Sequence, residues 1–172
     1  LYYYSFTDAY IAQAYLSLDE EQRARFDPMI TGFNPADMYA ADHIRRVLKT
    51  FPGVFSGIGE FTIHKEFVSA KVAGDTASLT DPALDRILEL SAEAGLVVIL
   101  HCDLDVPFAK TDMNPVYLVQ IRDLLRRHPE ATIIWAHIGM GRVVRPVASA
   151  ASVGAAERPL NHLELVEAAI DD

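Results

Sequence analysis

The sequence has one cysteine, Cys102, so no disulfide can form within the chain and no disulfide framework supports the fold. A lone thiol fits a reducing compartment without fixing one. No run reaches the roughly 18 apolar residues of a membrane span, so no spanning helix is expected. Basic residues are the minority: 15 lysines and arginines stand against 24 aspartates and glutamates, a formal charge of −9. They are also scattered, with Arg45-Arg46 and Arg126-Arg127 reading as pairs on helical surfaces. Such a chain has no electrostatic footprint for a phosphate backbone or an anionic bilayer. That argues against nucleic acid as a partner and leaves a small-molecule substrate. The sequence opens on Leu1 rather than Met, so a targeting segment is not excluded and the compartment stays open, the cytoplasm being the default.

What is present suits a globular protein. Hydrophobic residues make up 51% and charged residues 23% of 172 positions, enough for one buried core and a single domain over 1–172. Short apolar runs alternate with helical patterns. The first helix is expected over Tyr2–Leu16. Ser17-Leu18-Asp19-Glu20 reads as a capping box that opens a short second helix through Arg25. Strands are predicted near 29–32, 54–60, 96–101 and 131–137. Between them lie a helix carrying Met38, Ala41, Ile44, Val47 and Leu48, one from Asp81-Pro82 to Gly95, and one from Asn114-Pro115 to His128. Residues 146–159 are rich in Ala, Ser and Gly and read as a loop, and Leu160–Ile170 as a last helix.

Unbroken apolar strands separated by helices are the pattern of a parallel sheet covered on both faces. Two architectures fit: a doubly wound sheet, or part of an eight-stranded barrel. In both, ligands bind at the carboxyl ends of the strands. Three predicted strands end there in a metal-competent residue, namely Glu60, His101 and His137. Neighbouring strands lie about 4.8 Å apart, so such residues can share one ion. Each also has a plainer role, the histidines as hydrogen-bonded core residues and Glu60 as a cap. The glycines of Ser56-Gly-Ile-Gly59 are expected to leave room for a ligand. Four further residues are candidate substrate contacts. Lys65, Arg142 and Arg145 offer charge to an anionic group, and Asp103 either touches substrate or orients His101. The alternatives are a solvated loop charge for Lys65, pairing with surface acids for Arg142 and Arg145, and a solvent-facing loop cap for Asp103.

The segments Phe55-Ser-Gly-Ile-Gly-Glu60-Phe, Val97-Val-Ile-Leu-His101-Cys-Asp103 and Ile133-Ile-Trp-Ala-His137-Ile-Gly139 resemble successive strands of the amidohydrolase superfamily. The likeness is to its amidohydrolase-related branch, with TatD-like and decarboxylase-type members, and covers about Ile30–Val147. It implies an α/β fold that is part of a (β/α)8 TIM-type barrel, with about four βα units present. It also implies a divalent metal, zinc first, held by His101 and His137 at the fifth and sixth strand positions and by Glu60 at the fourth. The implied activity is a metal-dependent hydrolase that attacks an amide, ester or lactone with metal-activated water. A decarboxylase with Arg142 or Arg145 gripping the substrate carboxylate is the alternative. A non-catalytic binding or assembly module is the third reading.

The family's first-strand His-x-His and eighth-strand Asp have no counterpart here. The remaining histidines, His43, His64, His128 and His162, form no such pair. The chain is therefore expected to be an incomplete barrel and a poor catalyst alone, its open sheet edges completed either by more chain beyond these residues or by a second copy.

Overall fold

A computed structural model describes residues 4–64, 77–106, 115–140 and 160–171. Four strands form one parallel sheet in the order β1-β2-β3-β4: β1 is Met29–Ile30, β2 Gly57–His64, β3 Val97–Cys102 and β4 Thr132–Trp135. Met29 pairs with Gly57 and Ile30 with Ile58. Parallel neighbours need a crossover, and a helix lies in each connection: α3 (Ala40–Thr50), α4 (Pro82–Ala94) and α5 (Leu118–Arg127). Helices α1 (Tyr4–Leu16) and α2 (Glu20–Arg23) precede the sheet, and α6 (His162–Ile170) follows it.

The described chain divides into two compact units. One comprises Leu1–Phe61, Asp81–Leu100 and Glu130–Ile134; the other comprises Thr62–Thr80, His101–Pro129 and Trp135–Asp172. In the first, α3 packs on α4. Ala41, Ile44 and Val47 form the buried stripe of α3, and Leu84, Ile87, Leu88 and Ser91 that of α4. These spacings of three and four residues put each set on one helix face. Asp81 caps α4 by accepting from the Ala83 N–H at 2.9 Å, and Pro82 fills the first turn, where no donor is needed. In the second unit α5 packs on α6, with Leu118, Ile121 and Leu124 buried on one and Leu165, Val166 and Ala169 on the other.

Several boundaries differ from the expectation, each for a local reason. The cap of α2 is Asp19 with Gln22, not Ser17 with Glu20; the Ser17 hydroxyl donates instead to the Ala14 carbonyl at the end of α1. β1 stops at Ile30 rather than Gly32. The next two N–H groups, of Thr31 and Gly32, donate to Oδ1 of Asp8 from α1 at 3.0 and 2.9 Å. β2 begins three residues late: Val54 and Phe55 are buried but unpaired, because the apolar run records burial and not strand pairing. It also continues past Glu60 to His64, with buried Phe61 and Ile63 alternating against more exposed Glu60, Thr62 and His64. β4 ends at Trp135, and Ala136–Gly139 is a 3₁₀ turn. The opening of α5 at Asn114 and the loop 146–159 fall outside the described residues.

Asp8 is completely buried, and its second oxygen pairs with His43 Nε2 at 2.9 Å. Asp8→Ala would leave three donors without their acceptor, at about 1–3 kcal/mol for each that stays buried. Urea unfolding of the variant is expected to show a loss in that range or above; a change under about 0.5 kcal/mol, as for an ordinary surface site, would contradict this account.

Candidate metal centre

Side chains alternate along a strand, so Val97, Ile99 and His101 share one face of β3 while Val98, Leu100 and Cys102 take the other. The second set is fully buried, and His101 is itself only 4% exposed. Asp103 follows directly after the strand and is 3% exposed. Its carboxylate Oδ1 lies 3.0 Å from His101 Nε2. Its backbone N–H donates to the His64 carbonyl at 2.7 Å, and the next N–H, of Leu104, donates to the Gly139 carbonyl at 2.8 Å. The segment after β3 is thus hydrogen-bonded to both the end of β2 and the turn after β4.

That turn carries His137. Its φ is 57°, and that of Ile138 is 47°. Left-handed backbone costs an L-residue about 1–2 kcal/mol, more for a β-branched side chain such as Ile138. The surroundings hold it there. The Trp135 indole N–H donates to the Cys102 carbonyl at 2.8 Å, and His162 Nε2 donates to the Ile138 carbonyl at 2.7 Å. The Met140 N–H closes the turn onto the His137 carbonyl at 3.0 Å. His137 is exposed, and its ring stands 5.1 Å from that of His101, inclined at 62°.

Glu60 is exposed and lies within β2 rather than at its end, where His64 stands. The glycines before Glu60 do not leave space for a ligand, as the sequence suggested. A Cβ on Gly57 would land 2.5 Å from the Val97 carbonyl oxygen, and one on Gly59 would collide with that of Ile99. They serve the close approach of β3 to β2. Within the second unit His101 and His137 bring two imidazole rings together at 5.1 Å; Glu60, the third residue the sequence singles out, belongs to the first unit. Two imidazole nitrogens suit a borderline divalent ion such as zinc, and a carboxylate is a ligand of the same kind of ion. The donor set therefore fits the metal that the sequence implies.

Other polar groups line the same strand ends. The His64 ring stacks on Tyr117 at 3.7 Å, nearly coplanar at 8°. Burial holds His64 below its ordinary 6.5, against Gln120 and the Asp103 charge, which push it up. Its Nε2 is buried with no hydrogen-bond partner among the described residues. Asp105 Oδ1 accepts from the N–H groups of Val106 and Val116, a loop-capping role. Lys65, Arg142 and Arg145 lie outside the described residues. In the sequence His162 is marked only as one of the histidines that form no His-x-His pair. Its target is a backbone carbonyl 24 residues away, and no local pattern encodes such a contact.

The amidohydrolase family model matches residues 6–160. Neither a curated protein nor a solved structure matches the chain.

The Cys102 thiol is 1% exposed, and burial, reinforced by the Asp103 charge, pushes its pKa from 9.0 up to about 12. At pH 8 the folded thiol is expected to resist alkylation and to react only on unfolding. The unfolded thiol ionises from about 9 while the folded one still holds its proton, so this group's contribution to stability falls as pH rises between those values. Rapid labelling of the native protein at pH 8 would contradict the buried placement.

Proposed function

Since the chain belongs to the amidohydrolase family, we propose that it is a metal-dependent hydrolase acting on a carbonyl-type bond, an amide, ester or lactone. The observation that carries this reading is the pairing of the His101 and His137 rings at 5.1 Å, with Glu60 as the third candidate ligand. A divalent ion, zinc first, is held by these three residues in this proposal. When bound it supplies Lewis-acid polarisation of a carbonyl and lowers the pKa of water toward about 7.

The protein's own residues prepare the place. The turn Ala136–Gly139 fixes where the His137 ring stands, and the hydrogen bonds of Trp135 and His162 keep it from relaxing. Glu60 is an exposed residue. Lys65, Arg142 and Arg145 are retained as candidates for an anionic group on the substrate; a bidentate arginine fits a carboxylate. The decarboxylase alternative uses the same three ligands and differs in its product. The family's first-strand histidine pair and eighth-strand Asp have no counterpart in the sequence, so turnover by this chain is expected to be slow and metal uptake is the sharper test.

After dialysis against excess Zn²⁺ and then metal-free buffer, elemental analysis is expected to find zinc on the wild-type chain. His101→Ala and His137→Ala should each abolish stoichiometric uptake, and Glu60→Gln should weaken it. A wild-type chain that retains no zinc and is not titrated by Co²⁺ would sink the proposal. Among carbonyl substrates that are turned over, release of carbon dioxide in place of hydrolysis products would assign the decarboxylase reaction instead.

A further inference from the structure

The buried pair His101–Asp103 carries an inference beyond the metal centre itself, although it rests on that reading for its purpose. A neutral imidazole has one N–H and one bare nitrogen, and an ionised carboxylate only accepts. For a neutral ring, the 3.0 Å contact between His101 Nε2 and Asp103 Oδ1 puts the ring proton on Nε2 and leaves Nδ1 unprotonated. The two groups are 4% and 3% exposed, so water does not compete for either. Asp103 is itself held from both sides. Its own N–H is spent on the His64 carbonyl, the adjoining Leu104 N–H on the Gly139 carbonyl, and its carbonyl accepts the Cys102 thiol at 3.3 Å. A carboxylate anchored in this way sets both the tautomer and the rotation of the ring it touches.

We propose that Asp103 is a positioning residue that locks His101 in its Nε2–H tautomer, so that Nδ1 is the atom His101 presents to a metal. Of the two roles that its place after the strand suggests, substrate contact and orientation of His101, this gives Asp103 the second. A substrate group would need the carboxylate to face solvent, and it is buried. The arrangement is the general one in which an outer carboxylate orients a metal-binding imidazole and raises its basicity.

The tautomer can be read without any metal. Long-range ¹H–¹⁵N correlation spectra of the metal-free full chain should show His101 protonated at Nε2, and in Asp103→Ala a mixture or the Nδ1–H form. A wild-type His101 protonated at Nδ1, or a tautomer unchanged in Asp103→Ala, would overturn the proposal. Co²⁺ titration adds a second reading. Asp103→Ala should bind about 10–100-fold more weakly than wild type. Asp103→Asn, whose amide oxygen still accepts from Nε2, should recover most of the loss. Equal affinity in all three proteins would also overturn it. Should Asp103→Ala fail to fold, the wild-type spectrum and Asp103→Asn still decide. Should the wild-type chain bind no Co²⁺, the metal reading fails on its own account, and the tautomer spectra still test what Asp103 does.

Discussion

The candidate centre depends on the hydrogen bonds that tie the chain leaving β3 to the chain leaving β4. Leu104 N–H to the Gly139 carbonyl and Trp135 Nε1 to the Cys102 carbonyl are the two links, both at 2.8 Å. Each joins segments more than thirty residues apart in sequence, and together they fix the separation of the two histidine-bearing segments. Parallel strands by themselves would bring the backbones near each other without specifying where two side chains just beyond their ends come to rest. These links do so, and they also restrain a turn whose backbone an isolated peptide would avoid.

That turn shows how local preference gives way to a site. His137 and Ile138 both take positive φ, and a β-branched residue is poorly suited to it. Strain of this kind persists where surrounding contacts over-determine it, and such places cluster at functional centres. Here the contacts are specific: the His162 ring on the Ile138 carbonyl, the Met140 N–H on the His137 carbonyl, and Leu104 on Gly139. The result is an exposed His137 next to a buried His101, one ring accessible from solvent and the other held by a carboxylate.

Much of the fold was legible in the sequence because burial and capping leave strong local signatures. Asp81-Pro82 opens α4, and its apolar stripe and those of α3 and α5 follow helical spacing. The apolar runs ahead of His101 and His137 locate β3 and β4. What escaped was decided by partners distant in the chain. The end of β1 is set by Asp8, more than twenty residues earlier, and the start of β2 by its register against Met29. Val54 and Phe55 are as apolar as any strand and lie outside it. The role of the Gly57–Gly59 pair was misjudged for the same reason, since the carbonyls they admit belong to β3. Asp103 could be marked as a candidate from its closeness to His101, but its burial could not be read from a loop sequence.

The Asp8 carboxylate has an effect on the sheet as well as on the helix that carries it. By taking the N–H groups of Thr31 and Gly32, it ends the hydrogen-bonding ladder of an outer strand after two residues. A strand laid against that edge would find almost no free donors in sequence to pair with. Long unpaired edges are what allow folded chains to stack into aggregates, and very short ones are a recognised protection. Asp8 thus acts as a chain stop for β-pairing on this side. Among the described residues the opposite edge, the four residues of β4 with Ile134 half exposed, carries no such stop.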